Sequence, residues 1–573
     1  VPAGYISNFN IPHLVIGPGA RVNLFDAVNN GNRGGPGGNT EALYVGTLEF
    51  LDGAGLVNLN GHHLYYSNLV GNPAQIIDNG GGSGKGFTPT WTCAGGAWTT
   101  TGCWNGLPPG TLFPDNGDFT ACDVILPNNG TYTLMVDSSA PGVELTSLSI
   151  DTNVTLRLLS SDFSPGLLLN SGTLQVASDE LVLSQSIVND GMIEFDLDTA
   201  PESVSLLRSL QITGTGTIRF PDIASSAPQH ALVAPNGGTL TLGSGQFVHG
   251  GPGRIGGGSS LTTNVIVNGE VRADTPGKIL EFSDETSANE LVVTNNGIIA
   301  ATGGGTLAFD DIADVVNLGT ISCDSTSTIL ITSTTTTLGG TLAIDGRLEC
   351  DSALTLSGAV GSGSGTLFTT GALTCTGASM VGFGILDHNT SAISVSGGST
   401  LIIEQAWTHT LSSESAFDFA LGSTLMVTGG TAAGPGDYED FASIEIAGHD
   451  EGDVAGGYTN NFDLPHLVIG PGARVNLFDA VDNGNRGGPG GNGEALYVNT
   501  LEFADGAGLL NLNGHHLYYG SLVGSPTQII DNGGGSGKGF SPTWTCGTGT
   551  WSTTGCWSGL APGDLFPQRT DFT

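Results

Sequence analysis

Between residues 122 and 445 the chain is a succession of short runs in which apolar and polar residues alternate, most of them closed by glycine or asparagine. Alternation sends every second side chain to one face, which is the period of a half-buried β-strand and not of a helix. Several runs share an order of residues: aliphatic, Asn, any residue, Gly, then aliphatic or β-branched. In this or a closely related form it occurs in LLLNSGTLQV around Asn170, SIVNDGMIEF around Asn189, APNGGTLTL around Asn236, IVNGEVRA around Asn268, VTNNGIIAA around Asn296 and VVNLGTISC around Asn317. Weaker versions lie at Gly214–Phe220, Gly339–Ile344 and Gly398–Ile403. The step between them is roughly 19 to 28 residues, or twice that where a weak version is bridged. Such a step accommodates three short strands and three turns, one coil of a parallel β-helix. Asn-Gly supplies left-handed backbone for a sharp corner. Asparagines at one corner of successive coils can bond their neighbours above and below, as amide ladders do. Each coil buries its inward residues only when stacked on the next.

The strands before and after this region belong to one duplicated unit. Residues 1–120 align without a gap onto 454–573, each position shifted by 453, as in Pro12 to Pro465, Cys93 to Cys546 and Thr120 to Thr573. An ungapped match of that length marks a duplicated structural module. Within it, IPHLVIGPGARVNLFDA reads as strand, Gly-Pro-Gly turn and strand. A glycine-rich loop follows (Asn29 to Asn39), then strands in EALYVGTLEF, GLVNLNGHHLYYSNLV and AQIID. The segment Asn79 to Phe119 reads as a loop-rich insert. The expected organisation is therefore module 1–120, parallel β-helix 121–453 and module 454–573. The acidic stretch Gly434 to Val454 is either a connector or the last irregular coils.

Composition narrows the class. Glycine is 93 of 573 residues, charged residues are 12%, and no Gly-X-Y period exists, so collagen is excluded while aliphatic content is too high for disorder. The net charge is −39 with three lysines, Lys85, Lys278 and Lys538. Phosphate backbones need a basic surface, so nucleic acid is not a partner. No run of 18 apolar residues is present, so no membrane span is expected. Cys93 and Cys103 bracket a short loop, and Cys546 and Cys556 repeat the spacing. That repetition predicts two local disulfides and an extracellular, oxidising location. Cys323, Cys350 and Cys375 form either a column of stacked thiols or one bridge and one free thiol. Cys122 has no evident partner.

The string EALYVGTLEFLDGAGLVNLNGHHLYYSNLVG, repeated at Glu494 to Gly524, resembles segments of large secreted bacterial β-helix proteins of the planctomycete exoprotein type. ACDVILPNNGTYTLMVDSSAPGVELTSLSI resembles the opening coils of autotransporter- and adhesin-like right-handed β-helices. The resemblance implies an all-β, right-handed β-solenoid in a surface or matrix component, and it carries over no catalytic residues. His62-His63 and His515-His516 depart from that pattern.

Candidate chemistry is sparse. Asp26, Asp78, Asp479 and Asp531 lie beside glycine loops and offer oxygen ligands for Ca²⁺, the one candidate ion in a chain that requires no cofactor. The alternative is that they cap turns. The histidine pairs His62, His63, His515 and His516 could hold a metal only if two pairs met, because neighbours on a strand point to opposite faces. NGGGSGKGF (Asn79 to Phe87) fails the phosphate-loop pattern. A polysaccharide lyase or hydrolase would need converging carboxylates. Asp310-Asp311 and the Asp437, Glu439, Asp440 group are the acidic clusters, with no basic signature beside them. Asn129, Asn153 and Asn389 head glycosylation sequons, leaving room for surface glycans. Trp91, Trp98, Trp104, Trp544, Trp551 and Trp557 are either interface anchors or small local cores around the bridges. The expected function is a non-enzymatic, self-assembling extracellular fibre, tube or sheath. Its expected partner is itself, as a homopolymer or as tandem periods of one longer chain. The alternatives are an adhesin or carbohydrate-binding stalk and a polysaccharide-degrading enzyme.

Overall fold

The computed structural model describes residues 10–26, 41–60, 62–72, 75–77, 83–85, 88–107, 112–115, 123–140, 142–159, 163–177, 180–183, 187–196, 202–206, 209–224, 230–234, 237–257, 262–283, 291–310, 312–333, 335–389, 391–430, 440–487, 493–533, 536–539, 543–548, 550, 552–553 and 556–558. The chain divides into two compact units, Val1–Glu270 and Val271–Thr573. Both are all-β and built of stacked parallel strands in the manner of a parallel β-helix. Among the described residues no helix is long and apolar enough to cross a membrane.

In the first unit three parallel ladders run side by side. One contains Asp123–Leu126, Val143–Ile150, Phe163–Asn170, Ile187–Asn189, Leu210–Thr213, Thr239–Leu242 and Thr263–Val267. A second contains Tyr132–Val136, Val154–Leu158, Thr173–Val176, Met192–Phe195, Thr217–Phe220 and Phe247–Gly250. The third contains Glu180–Leu183, Glu202–Leu206, His230–Val233 and Gly253–Gly256. A coil takes one strand from each, as the alternation predicts. Inward positions stack on their equivalents: Phe195 lies parallel to Phe220 with centroids 4.9 Å apart. In the second unit, Phe282 and Phe309 do the same at 5.1 Å.

Asparagine ladders form, with Asn295 in the place expected for Asn296 and Gln246 joining the first of them. Asn170 Nδ2 donates to Asn189 Oδ1 at 2.8 Å, and Asn189 in turn bonds Gln246 at 3.1 Å. In the second unit, Asn295 Nδ2 donates to Asn317 Oδ1 at 2.6 Å and Asn317 Nδ2 to Gly339 O at 2.7 Å. All four asparagines are buried. At the Asn236-Gly237 corner the glycine is left-handed, as expected, with φ 66°, whereas the glycines of the Asn-x-Gly runs have another role. Gly191 and Gly319 are not left-handed. A Cβ on either would collide with the carbonyl of Gly172 or Gly297 in the neighbouring coil. The residue is glycine because stacked backbones approach too closely for any side chain.

The three central cysteines are buried free thiols, neither bridged nor stacked. Cys323 pairs with Ile344, Cys350 with Ile331, and Cys375 with Leu356, each in a different ladder. Burial pushes the Cys323 thiol up to about 11 and the Cys375 thiol up to about 12, so both stay protonated at neutral pH.

The two modules fold alike. In the first, Asn10–Ile16, Ala42–Phe50, His63–Val70 and Ser83–Lys85 form a parallel sheet, with Arg21–Asn23, Leu56–Asn58 and Ile76–Ile77 beside it. The second repeats the register: His13 faces Thr47 as His466 faces Thr500, and Ala42 faces His63 as Ala495 faces His516. Strand pairing crosses both expected boundaries. Ile125 pairs with Thr90 and Leu134 with Gly96; Leu425 pairs with Leu467 and Ala442 with Val475. Among the described residues the second module thus continues the preceding ladders, while in the first only the strands at 90–97 join those that follow.

Candidate functional site: the seat of the second module

The seat is built by the strands Thr424–Val427 and Ala442–Glu445, which end the regular coils before the second module. Their free edges receive Leu464–Ile469 and Arg474–Phe478 in parallel register, Leu425 to Leu467, Met426 to Val468, Val427 to Ile469 and Ala442 to Val475. Leu467, Ala473, Val475 and Leu477 are fully buried there. Their alternation along the two strands is what turns them inward.

The acidic stretch before the module supplies polar clamps. Gly448–His449 pairs antiparallel with Glu494 and Ala495. Asp450 is buried, accepts the Tyr518 hydroxyl at 2.9 Å and lies 2.8 Å from His516 Nδ1. Tyr497 donates to Gly452 O at 3.1 Å and accepts from Glu451 N at 2.9 Å. The two tyrosine rings stack at 4.8 Å, and Tyr458 meets Tyr497 edge-on at 5.2 Å. Burial raises all three phenols, so they stay protonated, and the hydroxyls of Tyr497 and Tyr518 act as donors. Asn461 fastens the segment by donating to His449 O at 2.8 Å and accepting from His449 N at 2.6 Å.

A second clamp gathers three carboxylates around one guanidinium. Glu445 accepts from Val481 N at 2.8 Å and Ala480 N at 3.3 Å. Glu494 accepts from Asn483 N at 3.0 Å and Asn485 N at 3.2 Å. Burial pushes both carboxyls up to about 7, with the nearby Asp479 charge adding to the shift and Arg486 opposing it. Arg486 forks onto the Asp479 carboxylate and also donates to its carbonyl at 3.1 Å. Asn485 Nδ2 ties the loop to Ala447 O at 2.6 Å.

Most sequence-derived candidates find structural roles. Asp479 is taken by Arg486, and Asp531 accepts the Gly514 and Gly533 amides at 2.9 and 3.1 Å, a turn cap. Asp26 is half-buried, and Asp78 lies outside the described residues. Among the described residues no three His, Cys, Asp or Glu side chains gather to hold a metal. His516 serves Asp450, while burial lowers the neighbouring His515 below the ordinary histidine range. His62 and His63 are half-buried in the first module. Asp310 bonds Thr332 at 2.8 Å; Asp311, Asp437 and Glu439 lie outside the described residues, and Asp440 is exposed.

Both predicted disulfides are present, Cys93–Cys103 and Cys546–Cys556, with Cα separations of 5.2 and 5.1 Å. Such bridges fit a chain that folds outside the reducing cytoplasm. Around the first, Trp91, Trp98 and Trp104 form a buried cluster with edge-on contacts of 5.0 and 4.8 Å, and Trp98 reaches Phe163 at 5.5 Å. These tryptophans are thus a local core on which the coils of the first unit rest. Trp544 and Trp557 keep the edge-on contact at 5.1 Å but are half-exposed; Trp551 lies outside the described residues.

The residues that sequence reasoning missed are Glu445, Asp450, Asn461, Tyr497 and Glu494. A signal existed in the dense carboxylates of the 440–453 stretch, set just before a module rich in tyrosine. Comparison with protein-family models, with curated proteins and with solved structures returned no match to this chain.

Proposed function

We propose that this chain is an extracellular structural protein that extends lengthwise, as a fibre, tube or surface sheath, with the repeated module as the splice between solenoid segments. The observation that carries this reading is the seating of the second module. Its strands prolong the ladders that precede it, in register and with a continuous apolar core. A module that appears twice and continues a one-dimensional core adds length, because stability in such arrays comes from nearest-neighbour stacking. The interior of the seat is filled by its own aromatic and aliphatic side chains, and its carboxylates are engaged by backbone amides, one arginine, the Tyr518 hydroxyl and His516. Electron microscopy of the native material tests the reading. Filaments or sheaths with a regular axial repeat are expected. Monodisperse rods that bind cells or glycans at one tip would replace it with the adhesin reading.

A further inference from the structure

Three successive corners of the first unit carry glycine because the coils meet there too closely for a side chain. A Cβ on Gly172, Gly191 or Gly216 would collide with Val154 O, Gly172 O or Gly191 O of the coil before it. The same lack of side chains opens a furrow along these corners, a surface groove of about 400 Å³. Ser171, Asp190 and Thr215 precede the glycines, Thr173, Met192 and Thr217 follow them, and all six line the groove. Thr173 faces Met192, Met192 faces Thr217 and Thr217 faces Phe247 in register. The row therefore repeats at the strand spacing, and its three steps span about 14 Å. Phe247 ends it with a flat surface, its ring parallel to that of His249 with centroids 4.5 Å apart.

The chemistry of the groove is narrow. The amides of Ser171, Gly191, Met192, Gly216 and Thr217 all bond carbonyls of the preceding coil, so a peptide strand finds no edge to join. The hydroxyls of Ser171, Thr173 and Thr217 make no hydrogen bond within the chain among the described residues. Asp190 engages Oδ1 with the Thr215 amide at 2.9 Å and hydroxyl at 3.2 Å, which leaves Oδ2 as an acceptor. No lysine or arginine lines the groove. Glu194, two residues beyond Met192, adds a second carboxylate, which lies 3.7 Å from Arg219. A phosphate, sulfate or uronate polymer would thus meet like charge. What fits is an uncharged chain whose hydroxyls both donate and accept, and whose C–H faces pack on Met192 and Phe247. From this we infer that the glycine-lined groove at residues 171–217 binds a neutral polysaccharide chain lying along the ladder. Ser171, Thr173, Asp190 and Thr217 bond its hydroxyls. The site belongs wholly to the first unit and lies at the corners of the coils, not at the ends of the ladders. It goes beyond the lengthwise-assembly reading and does not depend on it.

The full chain is tested against immobilised neutral glucans, mannans, xylans and chitin oligomers, with oligogalacturonate as the anionic counterpart. Retention on at least one neutral glycan, and not on oligogalacturonate, is expected. Ser171→Ala, Thr173→Val and Thr217→Val together remove three hydroxyls at nearly constant volume. They should weaken that binding tenfold or more while the melting temperature stays the same. Thr173→Trp with Thr217→Trp fills the groove and should abolish binding. Thr241→Val, in the ladder strand Thr239–Leu242 and away from the groove, should leave it unchanged. The inference is overturned if no neutral glycan is retained, if oligogalacturonate binds equally well, or if the three-hydroxyl variant keeps full affinity. If the filled variant does not fold, the three-hydroxyl variant decides alone. Filament formation is read separately: filaments without glycan binding overturn the groove only, and glycan binding without filaments overturns lengthwise assembly only.

Discussion

The seat of the second module should tighten as pH falls from 8 toward 6.5. Glu445 and Glu494 are both held near a pKa of about 7 by burial, against an ordinary value of 4.5. A carboxyl whose folded pKa is raised binds its proton more tightly folded than unfolded. Its contribution is most favourable below the unfolded value of 4.5 and is lost as pH rises through 7. A displacement of that size corresponds to about 3 kcal/mol per group as an upper figure, at about 1.4 kcal/mol per pKa unit. Asp479 raises both groups and Arg486 lowers both, so the two contributions share neighbours and are not simply additive. His515 has the opposite sign. Its folded pKa lies below 6.5, so it costs stability as pH falls below 6.5. The carboxylates are therefore read between pH 8 and 6.5. Amide exchange over 442–446 and 474–481 is the local assay, and protection there should increase several-fold across that interval after correction for intrinsic exchange, since a group with a pKa of about 7 contributes a factor of about 4 between pH 8 and 6.5. Glu445→Gln mimics the protonated acid, so the variant should show at pH 8 much of the protection that the parent gains at 6.5, with a flatter profile. Protection that falls on acidification over this interval, or a Gln variant less protected than the parent at pH 8, would refute the reasoning.

Asn317→Ala removes the acceptor of Asn295 Nδ2 and the donor to Gly339 O. Buried groups left unpaired cost about 1 to 3 kcal/mol each, so amide protection across strands 314–317 and 335–338 should drop by that free energy. Reducing Cys93–Cys103, which closes a loop of sequence separation 10, should cost about 2 to 3 kcal/mol. It should appear as earlier exposure of Trp91, Trp98 and Trp104 in fluorescence-monitored unfolding. The Cys323 and Cys375 thiols should resist a thiol reagent at pH 8 until denaturant is added, since burial holds both above pH 10. Gly191→Ala should be destabilising by more than a glycine-to-alanine change at an open strand position, because the new methyl meets the Gly172 carbonyl. Comparison with Gly130→Asn, whose site is open and left-handed, separates the two roles of glycine.

The coils were legible because alternation and the Asn-x-Gly order are local signals that repeat. Asn170, Asn189 and Asn317 could be placed on a ladder by spacing alone. The thiols could not. Coils in this region advance by different amounts, with Thr320 facing Thr341 and Thr328 facing Arg347. A spacing of 27 residues thus carries Cys350 past the position above Cys323 and onto another face. The role of Gly191 was not visible for a related reason: a close approach between coils leaves no trace in the local sequence that differs from a turn. The seat was legible least. Asp450 meets Tyr518, and Glu445 meets Val481 N, across separations that no periodic pattern reports.

The distribution of these groups says where the specificity of the splice resides. The apolar strands of the module are the same in both copies, and so are His13 and His466, Tyr44 and Tyr497. Glu445 and Asp450 precede the module and have no equivalent in the first copy, whereas Asn461 lies within it and corresponds to Asn8, outside the described residues. The module thus brings an apolar edge, a tyrosine pair and Glu494, while the segment before it adds the buried Glu445 and Asp450 that are absent from the shared unit. A β-edge alone tolerates slippage by two residues, because the inward face is restored at each such step. Slippage here would strip Asp450 of Tyr518 and Glu445 of two amides, leaving buried charge uncompensated, which is the costliest error open to a packed interface. The acidic segment therefore selects one register out of several that the apolar strands would accept. A replacement of Asp450 by Asn should preserve seating while loosening register. The Met426→Cys disulfide with Val468→Cys would then be joined by one with His466→Cys, and its absence would place register control in the strands themselves.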